Sequence, residues 1–397
     1  MLTIKNCRIL KNNDMKDTNI FIQNGKIAEI GHYIRTEQEM DAKGALLLPG
    51  LIDCHVHCRE PGMEHKEDFS TATQAAAAGG VTTILDMPNT KPPTLTLTDL
   101  KEKRELAKRK CMVNYGFYFG SSKLNMLEIQ KAENIAAVKI YMDQTTGGLI
   151  INDRDVLEDI FSKALYIAVH AEEDSMELAL ELARKYNNFL YICHVASKRE
   201  VEMIQSKKNK RIFAEVTPHH LFLTEKNVAD LRSFAMMKPS LKSVEDQYAL
   251  WEALRKGIID TVGTDHAPHT VEEKVSYNPP FGLPGLETML PLLMTAFSRG
   301  KLSLTRIQQA CCEKPAEIFG IAGKGRIEKG MDADLVLVDL KMEKPVRNDA
   351  LFTRCKWSPF NGWKLQGWPM MTMVGGKVVF DHGEILQNRG QEVVFQR

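Results

Sequence analysis

The sequence predicts an α/β protein: a parallel (β/α)8 barrel with a small composite β unit contributed by the two ends of the chain. Three observations predict it. Eight short apolar runs recur between residues 51 and 264, separated by helix-compatible segments. Polar residues gather at the C-terminal ends of those runs, where such barrels keep their chemistry. The flanks, 1–50 and 326–397, read instead as short strands joined by tight turns.

Taken in order, Ile20-Phe21-Ile22 and Ile27-Ala28-Glu29-Ile30 flank Asn24-Gly25, a strong hairpin signal. The barrel is expected over 51–325, with strands at 51–57, 82–87, 113–119, 137–142, 167–171, 190–195, 212–217 and 260–264. Phe69–Ala78, closed by Gly79-Gly80, and Leu97–Arg109 read as two of the intervening helices. The Pro- and Gly-rich stretch 270–286 reads as a loop over the site. Asp334–Val338, Met370–Val374 and Lys377–Phe380 return to strand, with Gly375-Gly376 as a turn. This tail is expected to join residues 1–50 in one β unit.

A chain of 397 residues with 44% hydrophobic and 26% charged residues has the composition of a globular protein. A net charge of +1 gives no field favouring nucleic acid or a membrane surface. No apolar run approaches the ~20 residues of a membrane span, and the N-terminus lacks the apolar core of a signal peptide. Eight cysteines include no Cys-x-x-Cys pair, which reads as reduced thiols in a cytoplasmic protein.

The chemistry centres on Leu51–Gly62. His55 and His57 stand two apart at a strand end, so they share a face and can grip one metal ion. Arg59 continues the alternation, and its fork suits a carboxylate. A bare His-x-His can also be two polar residues on a strand. Lys139, inside Val138-Lys139-Ile140-Tyr141, is either a lysine that snorkels or pairs, or one carboxylated to a metal-bridging anion. His170 and His194 each end an apolar run, as core histidines or as ligands. Asp265 ends the eighth run and can bind metal and shuttle a proton; Gly263 leaves room for close approach. His219-His220 looks like a metal pair, but adjacent strand residues face opposite ways, so a structural role is expected. By the same logic Cys193, beside His194, is expected to face away from the metal.

Assembled, these residues resemble the amidohydrolase superfamily of metal-dependent barrel hydrolases, and within it the dihydroorotase family. The resemblance spans about 44–340. It rests on His-Val-His-x-Arg-Glu-Pro-Gly (55–62), Lys-Glu-Asp (66–68), Asp-Met-Pro-Asn-Thr (86–90) and Lys-Ile-Tyr-Met (139–142), then on His-Ala-Glu (170–172), Cys-His-Val-Ala-Ser (193–197), Glu-Val-Thr-Pro-His-His-Leu (215–221) and Thr-Asp-His-Ala-Pro-His (264–269). It implies two zinc ions per subunit: one on His55, His57 and Asp265, the other on His170 and His194, bridged by carboxylated Lys139. It implies Asp265 as the proton-transfer residue and Arg59, Asn89 and His269 as a clamp for the substrate's carboxylate. His57 and the backbone of Phe281 and Gly282 are further expected contacts. Lys238 stands where many relatives carry Asn, and that contact becomes a cation. The implied substrates are N-carbamoyl-L-aspartate and L-dihydroorotate, in pyrimidine synthesis. A hydantoinase- or allantoinase-type hydrolase and a non-catalytic scaffold are the alternatives. A homodimer and a complex with aspartate transcarbamoylase stay open.

Overall fold

The computed structural model describes residues 1–11, 13–145 and 148–397. The barrel strands are Leu51–Val56, Val81–Asp86, Asn114–Phe117 (continued by Phe119–Gly120), Val138–Tyr141, Tyr166–His170, Phe189–Ile192, Ile212–Val216 and Thr261–Val262. All pair in parallel, in two sheets that meet within the third strand at Tyr118. Ring closure falls between the first and last strands. There the Asp53 carboxylate accepts from the Thr264 N–H (3.0 Å) and hydroxyl (2.5 Å), and Val56 bridges to His266. Asp53 is fully buried, and burial pushes its carboxyl up to about 7.

Helices cover the outside because each connecting segment carries its own start and stop signals. Asp68, Thr96, Ser197 and Ser243 cap Phe69–Ala78, Leu97–Lys110, Lys198–Lys207 and Val244–Lys256 in capping boxes. Left-handed Asn187 and Gly257 end two of the helices. The strands are buried on both faces, as a parallel sheet beneath helices requires: apolar residues pack against the helices, while Asp53, His55, Lys139, His170 and Glu215 are among the buried polar groups they carry.

A nine-stranded sheet unites the chain's two ends. Leu46–Pro49 is the junction strand: it pairs antiparallel with Leu335–Pro345, Leu48 opposite Val336. Asn24-Gly25 turns with both φ positive (52° and 76°), the primed geometry the dipeptide predicts. That turn packs on Gly375-Gly376; a Cβ on Gly25 would meet the Gly375 oxygen at 2.9 Å. Residues 388–397, which the sequence reading groups with this unit, run instead beneath the barrel. Val393 N–H donates to Tyr115 O (2.8 Å), and the Arg397 guanidinium lies 3.9 Å over the Tyr166 ring. Such pairing has no local sequence signal, since it joins positions far apart in the chain.

Candidate active site and metal centre

His55, His57, Lys139, His170, His194 and Asp265 come together in one buried cluster at the C-terminal mouth. His55 and His57 leave the first strand with rings 5.4 Å apart. Both Nε2 atoms face the same oxygen, Asp265 Oδ1, at 3.2 and 3.0 Å. His194 lies 5.3 Å from His55, ring to ring, and His170 Nδ1 is 2.9 Å from His194 Nε2. Ligand atoms of His55, His194 and Asp265 all fall within 4.8 Å of one another. Arg59, His194 and Asp265 adopt φ of 63°, 38° and 45°, so the chain turns sharply at three strand ends. Such conformations are costly for residues other than glycine and concentrate at functional sites.

Neighbours orient the imidazoles. His55 Nδ1 reaches Glu215 Oε1 at 2.9 Å, and His57 Nδ1 reaches Asn89 Oδ1 at 2.7 Å. With those nitrogens donating, the Nε2 lone pairs turn inward, the arrangement metal-binding histidines use. Burial above all, together with neighbouring cations that include Lys139, holds His55, His57, His170 and His194 well below the usual histidine range. All four are therefore neutral donors near pH 7. His170 Nε2 and His194 Nδ1 are buried and, among the described residues, have no hydrogen-bond partner. Five nitrogen and oxygen donor side chains, four neutral imidazoles and the Asp265 carboxylate, converging in a buried mouth fit divalent cations bound by nitrogen and oxygen.

Lys139 is fully buried, with Nζ 5.1 Å over the Tyr141 ring and 3.0 Å from Cys193 Sγ. Cys193 thus faces the site, contrary to the alternation argument. The strand ends at Ile192 and His194 is left-handed, so alternation does not reach the pair. Burial pushes the Cys193 thiol up to about 12. Glu215 joins the same layer. It accepts from Tyr191 Oη (2.8 Å) and His194 N (3.1 Å), and burial raises it to about 7. Gly263 makes room for it: a Cβ there would meet Glu215 Oε2 at 2.2 Å. The buried Tyr141 hydroxyl has no hydrogen-bond partner among the described residues.

His219 and His220 also depart from strand logic, because Pro218–Phe222 is a helical turn capped by Thr217. His220 Nδ1 accepts from the Thr217 hydroxyl (2.7 Å) and Nε2 donates to Pro239 O (3.0 Å), so neither nitrogen is available to a metal.

Beside the cluster lies a cationic pocket. Arg59 is 2% exposed; its Nε donates to Pro268 O (3.1 Å) and its Nη2 sits 3.1 Å from His269 Nε2. His269 Nε2 also meets Phe281 O at 2.9 Å, and Lys238 Nζ stands 5.5 Å over the Phe281 ring. Gly282 has φ 132°, and a Cβ there would meet Ala267 O at 2.5 Å. Lys274 secures the segment by donating to the carbonyls of Met236, Pro280 and Gly282 at 3.0, 3.0 and 3.1 Å. Lys66 and Lys274 escaped sequence reasoning because their partners are read only in space.

Comparison with known proteins gives a consistent picture. The amidohydrolase family model matches residues 46–379. A dihydroorotase of Methanothermobacter thermautotrophicus is 35% identical, covering 99% of this chain and 97% of its own. The multifunctional protein CAD of Squalus acanthias is 37% identical over 96% of this chain, a match to 17% of that longer protein. Among solved structures, an L-hydantoinase (dihydropyrimidinase) from Arthrobacter aurescens superposes with a TM-score of 0.94 at 30% identity, covering 99% of each chain.

Proposed function

The chain belongs to the amidohydrolase family, and from that premise we propose that it interconverts N-carbamoyl-L-aspartate and L-dihydroorotate as a metal-dependent cyclic amidohydrolase of pyrimidine synthesis. The observation that carries the substrate is the buried Arg59–His269 pair beside the histidine–aspartate cluster. Among the described residues Arg59 has no carboxylate within ion-pair distance, and such a guanidinium calls for an anionic ligand. A neutral cyclic ureide would leave it unpaired.

His55, His57 and Asp265 would hold one zinc ion and His170 and His194 a second, with Lys139 as its carbamate between them. Bound there, the ions supply Lewis-acid activation of water and of the ring carbonyl. The protein's own part is positional and protolytic. Arg59, Asn89 and His269 hold the carboxylate, with the Phe281 and Gly282 backbone and Lys238 at the pocket's edge. The ring's amide bond is thereby set against Asp265. In ring opening Asp265 Oδ1 takes the proton of the attacking water and hands it to the departing ring nitrogen; ring closure runs the same transfer in reverse. Glu215 and Asn89 keep His55 and His57 aimed inward throughout.

The likeness to an L-hydantoinase favours a second reading, hydrolysis of neutral ureides. One assay separates them: ring opening of L-dihydroorotate by purified protein with zinc and bicarbonate, beside hydantoin, dihydrouracil and allantoin. Selective turnover of dihydroorotate is expected, with metal content near two ions per chain by elemental analysis. Preferred turnover of a neutral ureide would overturn the carboxylate reading. A place in the cytoplasm, and assembly with aspartate transcarbamoylase or with a second copy, belong to the same proposal.

A further inference from the structure

The Lys-Glu-Asp run at 66–68 has no part in the chemistry above, yet its lysine reaches the carboxylate pocket. Lys66 Nζ lies 3.1 Å from His269 Nδ1 and 2.9 Å from Glu273 Oε1. His269 is fully buried. Its other nitrogen, Nε2, lies 2.9 Å from Phe281 O and 3.1 Å from Arg59 Nη2.

A neutral imidazole has one donor and one acceptor nitrogen. The Lys66 ammonium only donates, so it requires a lone pair at Nδ1. The Phe281 carbonyl only accepts, so it requires the proton at Nε2. The two demands agree on one tautomer. The other would set N–H against ammonium and lone pair against carbonyl oxygen. Glu273 does not reverse this: its Oε2 is 3.6 Å from Nδ1, and its closer contact is to Lys66. Double protonation is disfavoured by burial and by the Arg59 and Lys66 charges on either side. With Nε2 protonated and donating to Phe281 O, it offers no lone pair to Arg59 Nη2, so an anion entering beside the pair meets the guanidinium's N–H groups and can share the Nε2–H with Phe281 O.

We infer that Lys66 is a positioning residue: it holds His269 as the Nε2–H tautomer, whose N–H rests on Phe281 O and is shared with the incoming substrate's carboxylate, so that His269 and Arg59 both donate to that carboxylate. The inference rests on the carboxylate reading of this pocket. Lys66 acts through His269, at one remove from the reacting bond, and governs affinity for the anion more than the rate of chemistry.

The test pairs kinetics with a direct view of the imidazole. Charge-assisted hydrogen bonds of this kind correspond to roughly tenfold to hundredfold in affinity. In K66M the KM for L-dihydroorotate should rise by about that factor with kcat within about twofold, and K66R, which keeps a donor, should recover most of it. Long-range 1H–15N spectra of the zinc-loaded protein, with His269 assigned by its loss in H269N, should show Nε2–H in the wild type and a mixture in K66M. An Nδ1–H wild-type signal overturns the inference, as does an unchanged KM in K66M. Were the wild type not to turn over dihydroorotate, the substrate reading would fall while the spectrum still decided the tautomer.

Discussion

Replacing Arg59 by Met separates recognition from folding. The guanidinium is buried, donates to Pro268 O, and among the described residues has no carboxylate partner. In the free protein it is therefore a desolvated cation, and burial lowers its pKa. Substrate supplies the missing anion. Truncating one side of a buried, hydrogen-bonded charge pair costs about 2–5 kcal/mol. At about 1.4 kcal/mol per factor of ten, kcat/KM for dihydroorotate should fall roughly 30-fold to several thousand-fold. Fold stability should move the other way or hardly at all, because Met fills similar volume without burying a charge. The assay is steady-state ring opening of dihydroorotate and of dihydrouracil, which lacks the carboxylate, with a melting curve for each variant. Selective loss with an unchanged or raised melting temperature fits. Equal losses on both substrates, or a melting temperature that falls with activity, would refute the view of Arg59 as a substrate-pairing cation.

In D265N, kcat should drop by about 10²–10⁴ while the melting temperature of the metal-free protein is retained, because an amide cannot take the proton; near-normal turnover would exclude Asp265 from proton transfer. K274M leaves three inward-facing carbonyls without their ammonium, so limited proteolysis should begin within 275–283 and KM should rise more than kcat falls; an intact segment would show that Lys274 is not its anchor. Glu287, buried and accepting from Phe352 N and Thr353 N, is raised to about 7 by burial above all. Its folded form binds more protons than its unfolded form between about 4.5 and 7, so its contribution to stability is present below 4.5 and is lost as pH rises through 7. E287Q should therefore gain on the wild type by up to about 3 kcal/mol between pH 5 and pH 8 in denaturant titrations; parallel curves would show that the carboxyl is ionised in the native state.

Much of the architecture is local and so was legible in the sequence. Strand runs, capping boxes and the Asn24-Gly25 turn are decided by residues within a few positions of one another, and they set the barrel and its β unit. The same holds for which residues reach the mouth: His55, His57, His170, His194 and Asp265 lie at or just past the ends of runs that must lie in the barrel wall, and Lys139 lies within one. Alternation failed at the rims. Cys193 turns toward Lys139 and His219-His220 sit on a helical turn, because the preceding strands end at Ile192 and at Val216, before these residues are reached. What the chain determines alone is which groups arrive at one end of a barrel. Only the tertiary structure decided their partners: Glu215 on His55, Asn89 on His57, Lys66 on His269, Lys274 on three carbonyls. Each of the histidine contacts joins positions separated by 32 to 203 residues. Periodicity and capping act over a few residues, whereas a hydrogen bond is made to whatever packing brings within about 3 Å.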